Sequence, residues 1–441
     1  MSFSATMASA QTLEQALIGA YEYHPSLSVS RSALRAADEN VAQARAGKRP
    51  TVTASARAGL TSADRFDGRA TDTSTLSIDG SLPLIDGGST AAAVAGALAN
   101  VDRARAALVG TEQTVLLAAV TAYGDVRRDT QFVSLAQNNV RVITSQLQAA
   151  RDRFEVGEVT RTDVAQARAR LAAAQSNLVA NEGALARSRE AYIAAIGSAP
   201  EDLAPPPALP ALPATLADAE GVALRTHPSV VAAQELVRVA EADVDRARAA
   251  SRPTLTATAQ IASSGTAQDT QTDTATVGLQ ASLPLYRGGA LSSQIRQAQA
   301  TLDQRNAELQ DAGRQVRQNV ASAWANLTVA RSSIEASRQQ ITAARVAFEG
   351  VREEARLGAR TTLEVLDGEQ ELLNAQSNLV SAERDEYVAV YSLLAAMGLL
   401  TVQHLGLEVE QYDPVENFNR VQSGPFSSSR GDALDRILGR Y

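Results

Sequence analysis

The sequence predicts a mainly α-helical chain with a minority of β-structure, organised as an internal tandem duplication. Three observations predict it. The word AQSNLV occurs at Ala174–Val179 and again at Ala375–Val380, 201 residues apart in a chain of 441. Two windows without proline, 84–199 and 285–413, carry apolar residues at helical spacing. Ahead of each window lie two segments in which apolar and polar residues alternate strictly.

The duplication is the frame for the rest. His24-Pro25-Ser26 returns as His227-Pro228-Ser229, and Arg49-Pro50-Thr51 as Arg252-Pro253-Thr254. Ser81-Leu82-Pro83-Leu84 returns as Ser282-Leu283-Pro284-Leu285, each followed by a Gly-Gly pair. A period near 200 is far longer than a solenoid repeat, so each unit is a subdomain in its own right. The expected division is an N-terminal segment 1–11, a first repeat 12–197, a linker 198–215, a second repeat 216–398 and a tail 399–441. The linker holds six prolines and reads as a stiff, extended connector.

Composition narrows the class. Hydrophobic residues make up 45% but aromatics only 4%, with alanine dominant, which favours long helices over a bulky core. The net charge of −8 with no basic run gives nucleic-acid binding no support. The chain has no cysteine, hence no disulfide and no lipid-modified cysteine. No apolar run approaches the ~18 residues of a membrane-spanning helix. Ala8-Ser9-Ala10 resembles a signal-peptidase site without the basic and apolar regions that precede one, and is expected to be the remnant of an export signal.

The helical hairpins are expected at about 89–196 and 291–397. In the first, Val133, Ala136, Val140, Ile143, Leu147, Ala150 and Phe154 step by three and four. Val164, Ala167, Leu171, Ala174 and Leu178 do the same after a turn at Gly157. This is the pattern of helices packed side by side as in coiled coils, with alanines allowing close approach. At ~1.5 Å per residue the first long helix reaches roughly 100 Å.

The β-hairpins are expected at about 51–84 and 254–285. Val52, Ala54, Ala56, Ala58 and Leu60 share one face, as do Leu76, Ile78, Leu82 and Leu84. Leu255, Ala257, Ala259 and Ile261, then Val277, Leu279, Ala281 and Leu283, repeat the pattern. Polar loops are expected at Thr61–Thr73 and Ser263–Asp273. Strands of about ten residues match a tilted crossing of a bilayer (~9–11). No second apolar layer is available to cover the face. Four strands cannot close a barrel, and open edges are not tolerated in lipid, so several chains must contribute. Two chains give eight strands and a filled interior; three give twelve and a lumen.

Read together, these motifs resemble the TolC family of outer-membrane channel proteins. The carriers are the duplicated HPS…RP(T) openings, SLPLIDGG and SLPLYRGG, FEVGEVTRTDVAQAR, and LGARTTLEVLDGEQELLNAQ, in order from about Thr12 to Gly398. The resemblance implies a homotrimer with a transmembrane twelve-stranded β-barrel in the outer membrane and a helical α-barrel crossing the periplasm. It also implies a role as exit duct of a tripartite export machine, with a periplasmic adaptor, an inner-membrane transporter and outer-membrane lipid as partners. The missing cysteine separates the chain from the lipid-anchored drug-efflux members. The tail YDPVENFNRV (Tyr412–Val421) is similar to that of channels serving type I protein secretion; small-molecule efflux is the alternative.

By the same resemblance, Glu364 and Asp367 are the constriction acids of a gate, and Arg360 with Thr162 and Asp163 is the latch holding it closed. Arg360 is expected to pair with Asp163 or with backbone on a neighbouring helix. The turns Val156-Gly157-Glu158 and Leu357-Gly358-Ala359 match the adaptor-docking surface. The chain departs from the family at Ala355, where the latch can include a tyrosine, and at Glu158, where an apolar residue is common. Its strands lack an aromatic girdle, with only Tyr286 and Phe66 nearby. Local chemistry offers a second role for two of these acids, since Thr160-x-x-Asp163 and Thr361-x-x-Glu364 both have capping-box spacing. Asp367 lies further in, with no cap or seam contact expected to depend on it.

Other chemistry is sparse. His24 and His227 occupy equivalent helix-start positions and read as capping residues; with His404 they form no metal set. The Gly-Gly pairs lack the lysine of a phosphate loop, and Arg430-Gly431-Asp432 reads as coincidence. No nucleophile–base pair appears, so neither catalysis nor a cofactor is expected. The rival of a different class is a soluble coiled-coil structural protein, against which the alternating hairpins argue.

Overall fold

The computed structural model describes residues 10–62, 70–266 and 269–422. Residues up to Ser9, where an export-signal remnant is expected, Phe66 and Arg430-Gly431-Asp432 lie outside them. The elements run α1 (Leu13–Tyr23), α2 (Pro25–Ala46), β1 (Thr51–Ser62), β2 (Ala70–Ile85), α3 (Ser89–Glu155) and α4 (Arg161–Ile196). The same order repeats as α5 (Leu216–Thr226), α6 (Pro228–Ala249), β3 (Thr254–Thr266), β4 (Asp269–Ser282), α7 (Ala290–Arg356) and α8 (Thr362–Ala396). Short helices α9 (Val402–Leu405) and α10 (Glu416–Val421) follow in the tail.

The chain forms two compact units that cut across the repeats, each drawing on both. The first takes in residues 10–30, 107–230 and 313–412. Here α1 is closed by a capping box, with Thr12 and Gln15 satisfying each other's backbone donors. The Pro25 ring ends it, and the Nδ1 of His24 accepts from Ser26 N–H (3.3 Å) at the start of α2. His227 does the same for Ser229 (3.2 Å), the capping role read from the repeat. The largest fully buried side chains of this unit include Leu13, Leu116, Tyr123, Tyr192, Leu393, Leu394 and Met397. The linker is anchored where Gln11 N–H donates to Asp202 C=O (2.8 Å) and Ala204 N–H to Gln11 C=O (2.9 Å).

Further along, Ile143, Leu147 and Ala150 of α3 pack with Ala167 and Ala174 of α4, flanked by Val140, Val164 and Leu171. Those are the residues of the predicted seam. Phe154 departs from it and is 45% exposed at the hairpin end. Leu366 of α8 joins this cluster, so the second hairpin rests on the first. One 18-residue window of α3 is more apolar than the sequence reading allowed, with mean hydropathy 1.2, but 44% of it is buried.

The second unit comprises residues 31–106, 231–312 and 413–422. Its four strands form one antiparallel sheet in the order β1-β2-β3-β4, which contains both expected hairpins. The hairpins join through β2 and β3, with Ile78 opposite Ile261. The strands run 12 to 16 residues, longer than the ten expected, because Ser/Thr alternation carries the pairing into the predicted loops. Register places Ala54 beside Ile78 and Ala259 beside Val277, so one face is apolar over the middle of the sheet, giving way to Asp72, Ser74, Ser263 and Asp273 towards the hairpin ends. The opposite face is a polar ladder, in which Ser55 and Ser77 share a hydrogen bond (2.9 Å) and Gln260 donates to Asp79 (2.6 Å). In this unit α10 is tied down by Asn417, which donates to the buried Asp38 (2.7 Å), and by Phe418 beneath the Arg105 guanidinium (5.3 Å).

Candidate functional site

The two hairpin turns are built on one local plan. Gly157 N–H donates to Phe154 C=O (3.0 Å) and Glu158 N–H to Arg153 C=O (2.9 Å). Gly358 N–H donates to Ala355 C=O (3.1 Å) and Ala359 N–H to Glu354 C=O (2.9 Å). Both closures need a left-handed residue, and the glycines sit at φ +83° and +82°. A Cβ there would meet nothing within 4 Å, so backbone conformation rather than space dictates glycine.

The returning helices start alike as well. Thr160 N–H donates to the Asp163 carboxylate (2.8 Å) and Asp163 N–H to Thr160 Oγ1 (3.3 Å). Thr361 N–H donates to Glu364 (2.8 Å), and Glu364 N–H to Thr361 Oγ1 (3.3 Å). The shorter aspartate closes its box as well as the glutamate does. Both acids therefore cap helices, whatever else they do.

The second turn carries more charge chemistry than the first. Arg360 Nε donates to Glu354 (2.8 Å) and its Nη1 to Glu364 (2.7 Å), so one guanidinium spans the turn from α7 to α8. The Thr361 backbone donor and then Arg360 hold the Glu364 carboxyl down at about 2. The two carboxylates raise the pKa of Arg360 in turn. The expected pairing of Arg360 with Asp163 is not made, because Asp163 is engaged by Thr160 and Arg360 by two nearer acids. Both residues nevertheless line one cleft of about 400 Å³ between the turns, with Arg153, Glu158 and Arg356. Thr162 is exposed in the first turn of α4.

Asp367 is also corrected. It accepts from Arg170 Nη2 of α4 at 2.6 Å, with both side chains about half exposed, and so does make a contact between hairpins. Glu364 and Asp367 stand three apart on α8, as the sequence requires. Val156 and Leu357 project at the ends of the turns, 71% and 73% exposed, with Gly157, Glu158, Gly358 and Ala359 exposed around them. Ala355, at the position of the family tyrosine, is buried.

Three residues of this region escaped the sequence reading. Glu354 and Arg170 are partners across a turn and across two helices, separations with no periodic signal. Glu369 is buried on α8 with its Oε2 lacking a hydrogen-bond partner, and burial pushes its carboxyl up to about 7 against the opposing pull of Arg352. It sits four residues after buried Val365, where an acid on the stripe was in principle legible. Among the described residues no cluster of His, Asp or Glu is arranged to hold a metal ion.

The chain matches the model of a family described as outer membrane efflux protein over residues 19–198 and 221–399. It is 38% identical to outer membrane efflux protein BepC of Brucella suis biovar 1 (strain 1330), over 93% of this chain and 91% of that one. It is 30% identical to outer membrane protein TolC of Escherichia coli (strain K12), over 67% of this chain and 63% of that one. Its fold matches the crystal structure of the outer membrane protein VceC from Vibrio cholerae with a TM-score of 0.75. That match covers 88% of this chain and 96% of VceC at 22% identity.

Proposed function

Because the chain belongs to the outer membrane efflux protein family, that of the TolC channels, we propose that it is the exit duct of a tripartite export system. Its place is the outer membrane, and channels of this family work with an adaptor and an inner-membrane transporter. The observation that carries the reading is the sheet. Its apolar face is open to the surroundings, with Leu60 79%, Ile261 65%, Val277 86% and Leu279 70% exposed, while the reverse face is lined with Ser, Thr, Gln and Asp. A water-soluble sheet would bury that face; a barrel wall turns it to lipid and turns the polar ladder to a lumen.

Strands β1 and β4 each keep one unpaired edge within the chain. Three copies closing edge to edge give twelve strands, wide enough for a lumen. Arg360 latches the periplasmic end by tying Glu354 to Glu364, with Asp163 on the facing wall of the cleft and Thr162 exposed beside it. Glu364 and Asp367 form the constriction, held in the resting state by Arg360 and Arg170. Val156, Gly157, Glu158, Leu357, Gly358 and Ala359 meet the adaptor. Measuring the mass of the detergent-purified protein and its conductance in planar bilayers tests this. A conducting trimer is expected, and a stable monomer without conductance would overturn it.

Two cargo readings each rest on one observation. The 38% identity to BepC, an efflux protein by name, favours small molecules. The similarity of the Tyr412–Val421 tail to that of type I channels favours secreted proteins. Co-purification of the native inner-membrane partner separates them.

A further inference from the structure

The two strand-to-helix turns at the foot of the sheet follow one plan and end it on opposite charges. In the first repeat the apolar alternation of β2 runs through Leu82 and Leu84 to Asp86. In the second, that of β4 runs through Leu283 and Leu285 to Arg287. Asp86 has local work, because its carboxylate accepts from the N–H groups of Gly88 (3.0 Å) and Thr90 (2.7 Å) where α3 begins. Arg287 has none. A cation gains nothing from the start of a helix, and its guanidinium makes no ion pair or hydrogen bond among the described residues. Beside it Leu285 is 89% and Tyr286 86% exposed, so apolar surface runs up to the charge.

The opposite edge of the sheet carries a second free cation at the same end. Thr51 opens β1 opposite Ser81, and Ser282 closes β4 opposite Thr254, so Lys48 before β1 and Arg287 after β4 both lie on the helix side. Lys48 is exposed; its charge reaches Asp86, yet it makes no ion pair among the described residues. The acids of the apolar face, Asp72 and Asp273, stand at the far, hairpin end. When copies close edge to edge, the end of β4 runs antiparallel beside the start of β1 in the adjoining copy. That brings Arg287 of one copy to Lys48 of the next.

We propose that each such seam binds the phosphate group of an anionic phospholipid, held by Arg287 and by Lys48 of the adjoining copy. The acyl chains lie along Leu283 and Leu285, and Tyr286 sits where apolar surface meets the headgroup layer. Cations with apolar stems at the border of an apolar band suit such a layer, with the stem in the apolar region and the charge at the phosphate. The inference rests on the outer-membrane channel reading, since only a closed barrel forms the seam.

Native mass spectrometry of the detergent-purified trimer, titrated with phosphatidylglycerol or phosphatidylcholine of the same acyl chains, tests it. Conductance of the same preparation in planar bilayers checks the channel itself. Phosphatidylglycerol should be retained severalfold more than phosphatidylcholine, whose own cation offsets its phosphate. Arg287→Asp, which installs the residue that the first repeat carries at this turn, should abolish the preference in a trimer that still conducts. Lys48→Gln should weaken it, and decides the matter if Arg287→Asp fails to assemble. A conducting trimer that retains both lipids equally, or whose preference neither substitution moves, would overturn the proposal. So would displacement of the lipid by millimolar inorganic phosphate, which would mark a site for the free anion. A preparation that neither trimerises nor conducts would overturn the channel reading, and the seam with it.

Discussion

The turn between α3 and α4 and the turn between α7 and α8 repeat one sequence plan, and they differ most in charge. Glycine at φ near +80°, the C-terminal closure and the threonine–acid capping box are common to both. Charge is not. At an offset of 201, Arg153 faces Glu354, Glu155 faces Arg356, Val159 faces Arg360, Gln166 faces Asp367 and Arg168 faces Glu369. What the turns share is what any helical hairpin needs to reverse direction. What they do not share is the Glu354–Arg360–Glu364 bridge, the Arg170–Asp367 pair and a buried acid. The difference teaches that folding constrained the repeat where backbone chemistry demanded it, and left side-chain charge free to specialise in the second copy.

The largest effect should come from packing. Leu366 is 4% exposed in the α3–α4 cluster, whereas its counterpart Ala165 is exposed. Leu366→Ala should cost about 2–4 kcal/mol, read as faster hydrogen exchange at both hairpin ends. Ala165→Ser should change nothing measurable.

Glu369 gives the next largest effect. Its carboxyl rises from an ordinary 4.5 to about 7 in the folded protein, so the fold holds its proton more tightly than the unfolded chain does. Stability therefore falls as pH climbs through that interval, and the full cost is present above it. Glu369→Gln should gain on the order of 1–2 kcal/mol near pH 8 and little below pH ~5, measured by denaturation at the two pH values. Replacing exposed Arg168 with Gln should give no such pH dependence.

Smaller still, and equal in both turns, are the caps. Thr160→Ala and Thr361→Ala should each cost about 1 kcal/mol of local stability by hydrogen exchange. A loss at one turn only would break the claim that the caps are common scaffolding.

Much of this was legible in the sequence. The period, the hairpin helices to within one or two residues and the faces of all four strands followed from spacing and punctuation. So did both capping boxes, because a box is a contact three residues apart. The β2–β3 pairing was not legible, since two polar-edged hairpins can meet in several orders and only the assembled sheet chooses. Nor was the Arg170–Asp367 pair, which depends on how α8 lies against α4. Arg360 is singled out by resemblance, but its expected pairing with Asp163 is not made. Its nearest acids, Glu354 and Glu364, straddle a turn, where neither helical nor strand spacing applies.

Selectivity should follow the same asymmetry. Asp367→Asn should lower the cation preference of the channel, read as a smaller reversal potential across a salt gradient, while Gln166→Asn leaves it unchanged.

The central claim is that the second turn is the gate and the first its scaffold, and resting conductance in planar bilayers tests it most directly. Arg360→Ala removes the bridge between α7 and α8 and should raise the resting conductance severalfold. Val159→Ala, at the matched position of the first turn, should leave it at the wild-type value. Equal conductance in both variants, or a rise with Val159→Ala alone, would contradict the account.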